Sequence, residues 1–288
     1  MTEQFTLAGH INKAYETLSP AEKRVARALI ADYPAAGLES VHNLAKRANV
    51  SAPTVLRLLS KLGVNSYPEM QALLREEISV RTASPAEMYG LRDRLNSQST
   101  QNELIARAQQ VFAAGLDVTF ASIPAGEFEE IVKLIANPKR RIWTVGGRFT
   151  ELLAEYLTLH LKLMRREVQA IGSSEFDRAN ALIDFTPRDV LLAFDFRRYQ
   201  PSTIDFVQRA KKQRVTTVLF TDPWLSPAAQ HSDHLLSCSV IAPSPFDSLT
   251  SGMALVETVI AGVVEELGAQ PRQRVSAFDE FLSPTEQT

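Results

Sequence analysis

Apolar residues recur at three- and four-residue spacing through the first eighty positions, the period of helices that bury one face. Helices are predicted at Gly9–Leu18, from Ser19 to about Tyr33, at Val41–Ala48, from Ser51 to Leu62, and from Tyr67 to about Val80. Ser19-Pro20-Ala21-Glu22 opens the second of these well, with serine as N-cap, proline in the first turn and glutamate where a capping box needs it. Pro34 stops it. Past Asn102 the pattern changes. Two helices (about 103–121 and 125–136) lead into strand-like runs at Arg141–Val145, Glu167–Ile171, Asp189–Phe196, Val215–Thr221 and His234–Val240. Helical runs alternate with them near 149–165, 175–185, 202–213 and 248–267. Runs such as Val190-Leu-Leu-Ala-Phe194 are apolar throughout, as in a parallel strand covered on both faces.

The chain is therefore expected to be multidomain: an all-α domain followed by an α/β domain with a Rossmann-like, five-stranded parallel sheet and helices on both faces. The boundaries fall at 1–80 for the helical domain, 81–102 for a polar, Ser-rich linker, 103–268 for the sheet domain and 269–288 for a tail with a short amphipathic helix near Val275–Leu282. Small residues on the last long helix (Gly252, Ala254, Ala261, Gly262) would suit close packing between subunits.

The third and fourth helices are joined by a short turn, the layout of a helix-turn-helix. On a wheel of roughly 100° per residue, Ser60, Pro53, Arg57, Lys61 and Thr54 share one arc of the fourth helix. Leu58, Leu62, Val55, Leu59, Ala52 and Leu56 fill the other. From His42 to Ser66 there are four Lys/Arg and no Asp or Glu. A solvated face usually mixes both signs, whereas an acid-free one suits the phosphates of double-stranded DNA. The N-terminal half of such a helix enters the major groove. Ala52, Pro53, Thr54 and Arg57 are then expected near base edges, with Lys46, Ser51, Ser60 and Lys61 on phosphates. Arg57 can bind guanine by two hydrogen bonds, and Thr54, Ala52 and Pro53 can touch a thymine methyl.

Composition bounds these expectations. The 288 residues suffice for about two domains. The formal net charge of −2 leaves any polyanion signal to local patches. Among these, Pro138-Lys-Arg-Arg141 is read as a solvated turn before a strand. Cys238 is the single cysteine, so no intrachain disulfide forms, which fits a cytoplasmic protein. The N-terminus lacks the pattern of a signal peptide, and no apolar run is long enough to span a membrane. His231 and His234 lack a third well-placed ligand, so no metal or cofactor is expected. Where the first strand meets its helix, Gly146-Gly147-Arg148-Phe149-Thr150 can offer amides and a helix dipole to an anion, or be only a tight βα turn.

Leu18-Ser-Pro-Ala-Glu-Lys-Arg-Val-Ala26, Leu44-Ala45, Val50-Ser51, Thr54-Val55, Arg57, Leu62-Gly63 and Tyr67-Pro-Glu-Met70 together resemble the RpiR family of bacterial transcriptional regulators. The second half resembles a sugar isomerase (SIS) domain, which in relatives binds phosphorylated sugars. Against the family's Gly-x-Gly-x-Ser pattern, Gly146 and Thr150 match, but Arg148 replaces the second glycine. The Ser-x-Ser-Gly-x-Thr phosphate loop is replaced by Asp195-Phe-Arg197-Arg198-Tyr-Gln200. Either Arg197 and Arg198 bind phosphate or carboxylate, or Asp195 neutralises one of them in a structural pair. Ser248 is expected to cap the last long helix beside the crevice. Glu257 matches a glutamate in the crevice of related isomerases, and either contacts ligand or pairs with Arg148 or Arg197.

The resemblance implies a sequence-specific regulator of a carbohydrate or related catabolic operon. It would be a homodimer or homotetramer on a palindromic operator, controlled by a small anionic metabolite (a phosphosugar or a carboxylate). Two alternatives stand: the SIS-like domain only dimerises the protein, or it is a sugar-phosphate isomerase with Glu257 as base.

Overall fold

The computed structural model describes residues 6–82 and 100–282, so most of the expected linker lies outside the described residues. The helical domain comprises α1 (Leu7–Ala14), α2 (Pro20–Ala31), α3 (Ala35–Leu38), α4 (Val41–Arg47), α5 (Ala52–Lys61) and α6 (Tyr67–Thr82). The first helix is shorter than expected, because Tyr15–Thr17 tighten into a 3-10 turn, and α3 was not anticipated. The capping box of α2 forms: Ser19 N–H donates to Glu22 Oε2 at 2.8 Å, and Glu22 N–H donates to Ser19 Oγ at 3.4 Å. Leu7, Ile11, Val25, Leu29, Leu44, Val55, Leu58 and Leu59 make a common core with Met70 and Leu74 of α6.

The sheet domain begins with α7 (Gln101–Ser122) and α8 (Ala125–Ala136). Next come β1 (Arg141–Gly146), α9 (Glu151–Met164), β2 (Val168–Ala170), α10 (Glu175–Asp184), β3 (Asp189–Phe194) and α11 (Pro201–Lys212). The domain closes with β4 (Thr216–Thr221), a 3-10 turn (Pro227–His231), β5 (His234–Ser237), α12 (Thr250–Leu267) and α13 (Gln270–Leu282). The five strands are parallel in the order β2-β1-β3-β4-β5. Alternation along β3 sends Val190, Leu192 and Phe194 to one core, and Leu191 and Ala193 to the other, so both faces are covered. Phe194 stacks on Phe220 of β4 with ring centroids 4.3 Å apart.

Several expectations need correction. Gly252 and Gly262 serve packing within the chain: a Cβ at Gly262 would lie 2.8 Å from Val132 of α8, and one at Gly252 would lie 3.1 Å from Leu153 of α9. The tail helix starts earlier than expected and is tied down where Arg274 Nε donates to Lys162 O at 2.7 Å. The basic run before β1 is the solvated turn expected, with Pro138 and Lys139 exposed, while Arg141 Nε donates to the fully buried Asp189 at 2.6 Å and Arg140 Nη1 to Pro187 O at 3.0 Å. Cys238 is buried, and burial pushes its thiol far above the usual range, which leaves it inert. No described helix is long and apolar enough to cross a membrane.

The two domains touch. Leu225, from the loop after β4, is buried in the core of the helical domain. Nearby, Gln230 Nε2 donates to Asp32 Oδ1 at 3.3 Å.

Candidate functional site

The turn between α4 and α5 is closed by backbone alone. Asn49 takes a left-handed conformation (φ 51°), its N–H donates to Lys46 O at 3.1 Å, and Val50 N–H donates to Ala45 O at 2.9 Å. Those paired bonds satisfy the last carbonyls of α4 and turn the chain sharply into α5. Ala45 is buried at the crossing, where a larger side chain would hold the helices apart. Gly63 (φ 77°) repeats the device at the end of α5, with Val64 N–H donating to Leu59 O at 2.9 Å.

Ser51, Pro53, Arg57, Ser60 and Lys61 are exposed on α5, Ala52 is half-buried, and Lys46 is exposed on α4. Two expectations for this face change, those for Thr54 and Lys61. Thr54 is buried, so its methyl is not presented to a base. Ser51 stands at the N-cap position without a side-chain cap, and its hydroxyl lies 3.1 Å from the Thr54 hydroxyl. Lys61 is committed to α2, donating from Nζ to Glu22 Oε2 at 2.8 Å. That hydrogen bond and the capping-box amide hold the Glu22 carboxyl down at about 2. Leu56, placed on the apolar arc by the wheel, is 45% exposed and lies on the outer surface beside Arg57. Arg57 is exposed and makes only long contacts, Nε to Pro53 O and Nη2 to Thr54 Oγ1, both at 3.4 Å.

The second site lies where β1 and β3 point their carboxyl ends at the same space. In this strand order the connections leave β1 and β3 in opposite directions, and the crevice between them is where open α/β sheets take ligands. A cleft of about 970 Å³ opens there, bounded by the loop after β1, the first turn of α10, the loop after β3 and Phe246-Asp247.

Gly146, Gly147, Arg148, Thr150, Asp195, Arg197 and Arg198 all line this cleft; Ser248 and Glu257 do not. The glycine turn is less open to an anion than its sequence suggests. Gly147 N–H donates to Thr150 Oγ1 at 2.7 Å, and the Thr150 hydroxyl donates to Phe194 O at 2.8 Å. Both donors are thus spent on fastening β1 to β3. A Cβ at Gly146 would lie 2.3 Å from Glu151 N, so the glycine is needed for helix-strand packing.

The loop after β3 is also partly self-satisfied. Arg197 pairs with Asp247 and lies over the Trp224 ring, 5.6 Å from its centroid, while Arg198 Nη2 is 3.6 Å from the same carboxylate. Asp247, not Asp195, is therefore the acid that neutralises the arginines. Asp195 is buried and accepts hydrogen bonds from the Ser226 hydroxyl and from Gln200 N–H at 3.2 Å. Burial dominates these bonds and pushes its carboxyl up to about 7. Arg148 is exposed at the mouth of the cleft. Ser248 accepts from Thr250 N–H at 3.0 Å at the start of α12, with Leu249 in the N-cap position. Glu257 is exposed on α12, where it accepts from the Tyr156 hydroxyl and meets neither Arg148 nor Arg197.

Sequence reasoning missed Arg178. It lies on α10, lines the cleft and is only 8% exposed. Its one signal was a cation at the start of a helix whose outward positions are acidic or exposed. Away from the cleft, Glu127, Glu130 and His234 each bring one potential metal-ligand atom within 4.8 Å of the others. Glu127 Oε1 already accepts from Leu235 N–H at 3.2 Å and lies 3.0 Å from His234 Nδ1, an ion-pair clasp between α8 and β5 that raises the histidine's proton affinity.

Residues 5–81 match the helix-turn-helix domain of the rpiR family, and residues 134–262 match the SIS domain. Two relatives described as uncharacterized HTH-type transcriptional regulators align over most of the chain. One, from Haemophilus influenzae, is 22% identical over 236 residues, covering 82% of this chain and 81% of the relative. The other, from Thermotoga maritima, is 25% identical over 232 residues, covering 79% of each. The Vibrio vulnificus NanR protein, solved in complex with ManNAc-6P, superposes with a TM-score of 0.56 at 17% identity, over 97% of this chain and 99% of that one. At that identity the likeness shows a shared two-domain fold.

Proposed function

The chain belongs to the RpiR family of transcriptional regulators, and from that footing we propose that it is a DNA-binding regulator whose SIS domain senses a small anionic metabolite. The observation that carries the DNA half is the outer face of α4 and α5. It holds the exposed cations Lys46 and Arg57 with no acid from His42 to Ser66, on helices locked by the Asn49 turn. Arg57 reads a base edge, Ala52 and Pro53 flank it, and Lys46, Ser51 and Ser60 hold phosphates. Thr54 and Lys61 act by shaping and anchoring the helix.

The sensing half rests on the cleft at the ends of β1 and β3, with Arg148 and Arg198 at its mouth. NanR, which shares both domains, was captured with a phosphosugar, which supports a metabolite in the same fold. Control of a carbohydrate or related catabolic operon fits that kind of ligand. The protein works in the cytoplasm as a homodimer or homotetramer, reading a palindrome with half-sites about one helical turn or a multiple of it apart. A role as isomerase is disfavoured because Glu257, the one candidate base, lies outside the cleft and is held by Tyr156.

The test is a gel shift at moderate salt with DNA from upstream of the protein's own gene. A footprint with two-fold symmetry, lost in Arg57→Ala, is expected. Binding that ignores sequence and survives that substitution would overturn the reading.

A further inference from the structure

The cleft's polar groups differ in whether their charge and hydrogen-bonding capacity are already used. The Gly147 amide and the Thr150 hydroxyl are consumed between β1 and β3. Arg197 is neutralised by Asp247, which also lies 3.6 Å from Arg198. Arg178 stands apart. No carboxylate oxygen among the described residues lies within 4.0 Å of its guanidinium. Its Nη2 makes two long contacts, to Gly146 O and Thr203 Oγ1, both 3.4 Å. Its Nε and Nη1 have no hydrogen-bond partner among the described residues. Its remaining support is the Phe206 ring, 5.9 Å from the guanidinium carbon.

An unmatched buried cation is costly, and chains rarely keep one unless a ligand supplies the counter-charge. The size of that charge follows from the surroundings. Burial is the largest influence on the Arg178 guanidinium and lowers its proton affinity from the usual value, while the nearby Glu151 and Asp195 carboxyls act in the opposite direction. A phosphate ester carries close to two negative charges and three acceptor oxygens. Here it would meet one buried cation, two neighbouring carboxyls and a glycine turn whose Gly147 amide is already engaged. A carboxylate carries one charge and two oxygens, which a single guanidinium can match. Arg148 and Arg198 lie at the exposed rim, where solvent weakens their pull.

We propose that Arg178 anchors the effector in this cleft and that the group it holds is a carboxylate, so the metabolite sensed is an organic or sugar acid and not a phosphate ester. This rests on the reading of the cleft as an effector site. Gln200, next to Gly147, and the exposed Ser202 are placed at the cleft to meet hydroxyls on the rest of such a molecule.

The experiment is a set of thermal melts of the full chain in sodium chloride, acetate, D-gluconate, inorganic phosphate and glucose 6-phosphate at matched ionic strength. At least one carboxylate should raise the melting temperature above the chloride value, with neither phosphate exceeding it. Arg178→Met should abolish that response and, in chloride, melt about 2–4 °C above the wild type, because an unmatched buried charge is gone. Arg178→Lys, which keeps the charge but not the planar donors, should retain a weakened response. A larger response to either phosphate overturns the carboxylate assignment and leaves the effector reading intact. A carboxylate response that persists in Arg178→Met overturns the role of Arg178. A chloride melt lowered in both variants marks a structural arginine and also overturns it. Silence of the wild type toward every anion overturns the inference and the effector reading together.

Discussion

Ser226 donates its hydroxyl hydrogen to the buried Asp195 carboxylate, joining the loop after β4 to the end of β3. Thr221 reinforces the join, with its hydroxyl donating to Asp195 O at 2.9 Å and accepting from Ser226 N–H at 3.0 Å. The residue before Ser226 is Leu225, buried in the helical domain. One short loop therefore reaches both a carboxyl that lines the cleft and the core beneath the DNA-reading helices.

Asp195 should give stability a distinctive pH dependence. Its carboxyl is raised from 3.8 unfolded to about 7 folded, so between those values the folded state holds more proton than the unfolded one. Stability then falls as pH rises through that window and is lowest above it. Asp195→Asn should flatten the slope and melt above the wild type at pH 8. Melting temperatures from pH 4 to 8 check this, and an unchanged slope would contradict it.

Arg57 and Lys61 should separate by assay although they share a face. Arg57→Ala should cost about 1–3 kcal/mol of operator binding and relax preference at one base pair, leaving the melting temperature unchanged. Lys61→Ala should reduce stability by about 0.5–1 kcal/mol, because it breaks a half-exposed pair with Glu22. The Glu22 contribution is present above the unfolded carboxylate range and is lost as pH falls toward about 2, so Lys61→Ala should melt nearer the wild type in strong acid. Binding isotherms and denaturant curves on both variants make the comparison.

Thr150→Val should destabilise the sheet domain by about 1–3 kcal/mol, since it strands the Gly147 amide and the Phe194 carbonyl in a buried place. Thr150→Ser, which keeps the hydroxyl, should recover most of the loss. Urea unfolding of the pair tests whether this side chain is a fastener or a ligand group.

Leu225→Ala should cost about 2–4 kcal/mol, as for other buried leucines. The loss should appear in the helical domain although the substitution is in the loop after β4. Hydrogen exchange should show faster exchange at the α2 and α4 amides. Protection confined to wild-type levels there would mean that the contact carries no energy.

Much of the architecture was legible because local signals agreed. The capping box at Ser19 and Glu22, the acid-free run through α5 and the unbroken apolar run of β3 each specify an element without help from distant residues. What was illegible depended on which partner a polar group finds. Lys61 and Arg57 look alike on a wheel, yet Glu22, thirty-nine positions away in sequence, takes only one of them. Asp195 sits two residues from Arg197, but the acid that reaches the arginine is Asp247. Arg178 carried no motif and gains meaning only when folding buries it beside the end of β1. Leu56 was assigned inward by period alone, and the way α5 packs on α2 and α4 leaves it outside.

If the cleft takes the proposed metabolite, the burial of Leu225 in the core of the helical domain gives that binding a route to the operator. Coupling between two binding events is reciprocal, so whatever factor the metabolite applies to operator affinity, the operator applies to metabolite affinity. A copy seated on DNA and a copy free in solution then half-saturate at different metabolite concentrations. On the proposed reading, the response threshold of the regulated gene would be a property of the operator as much as of the protein.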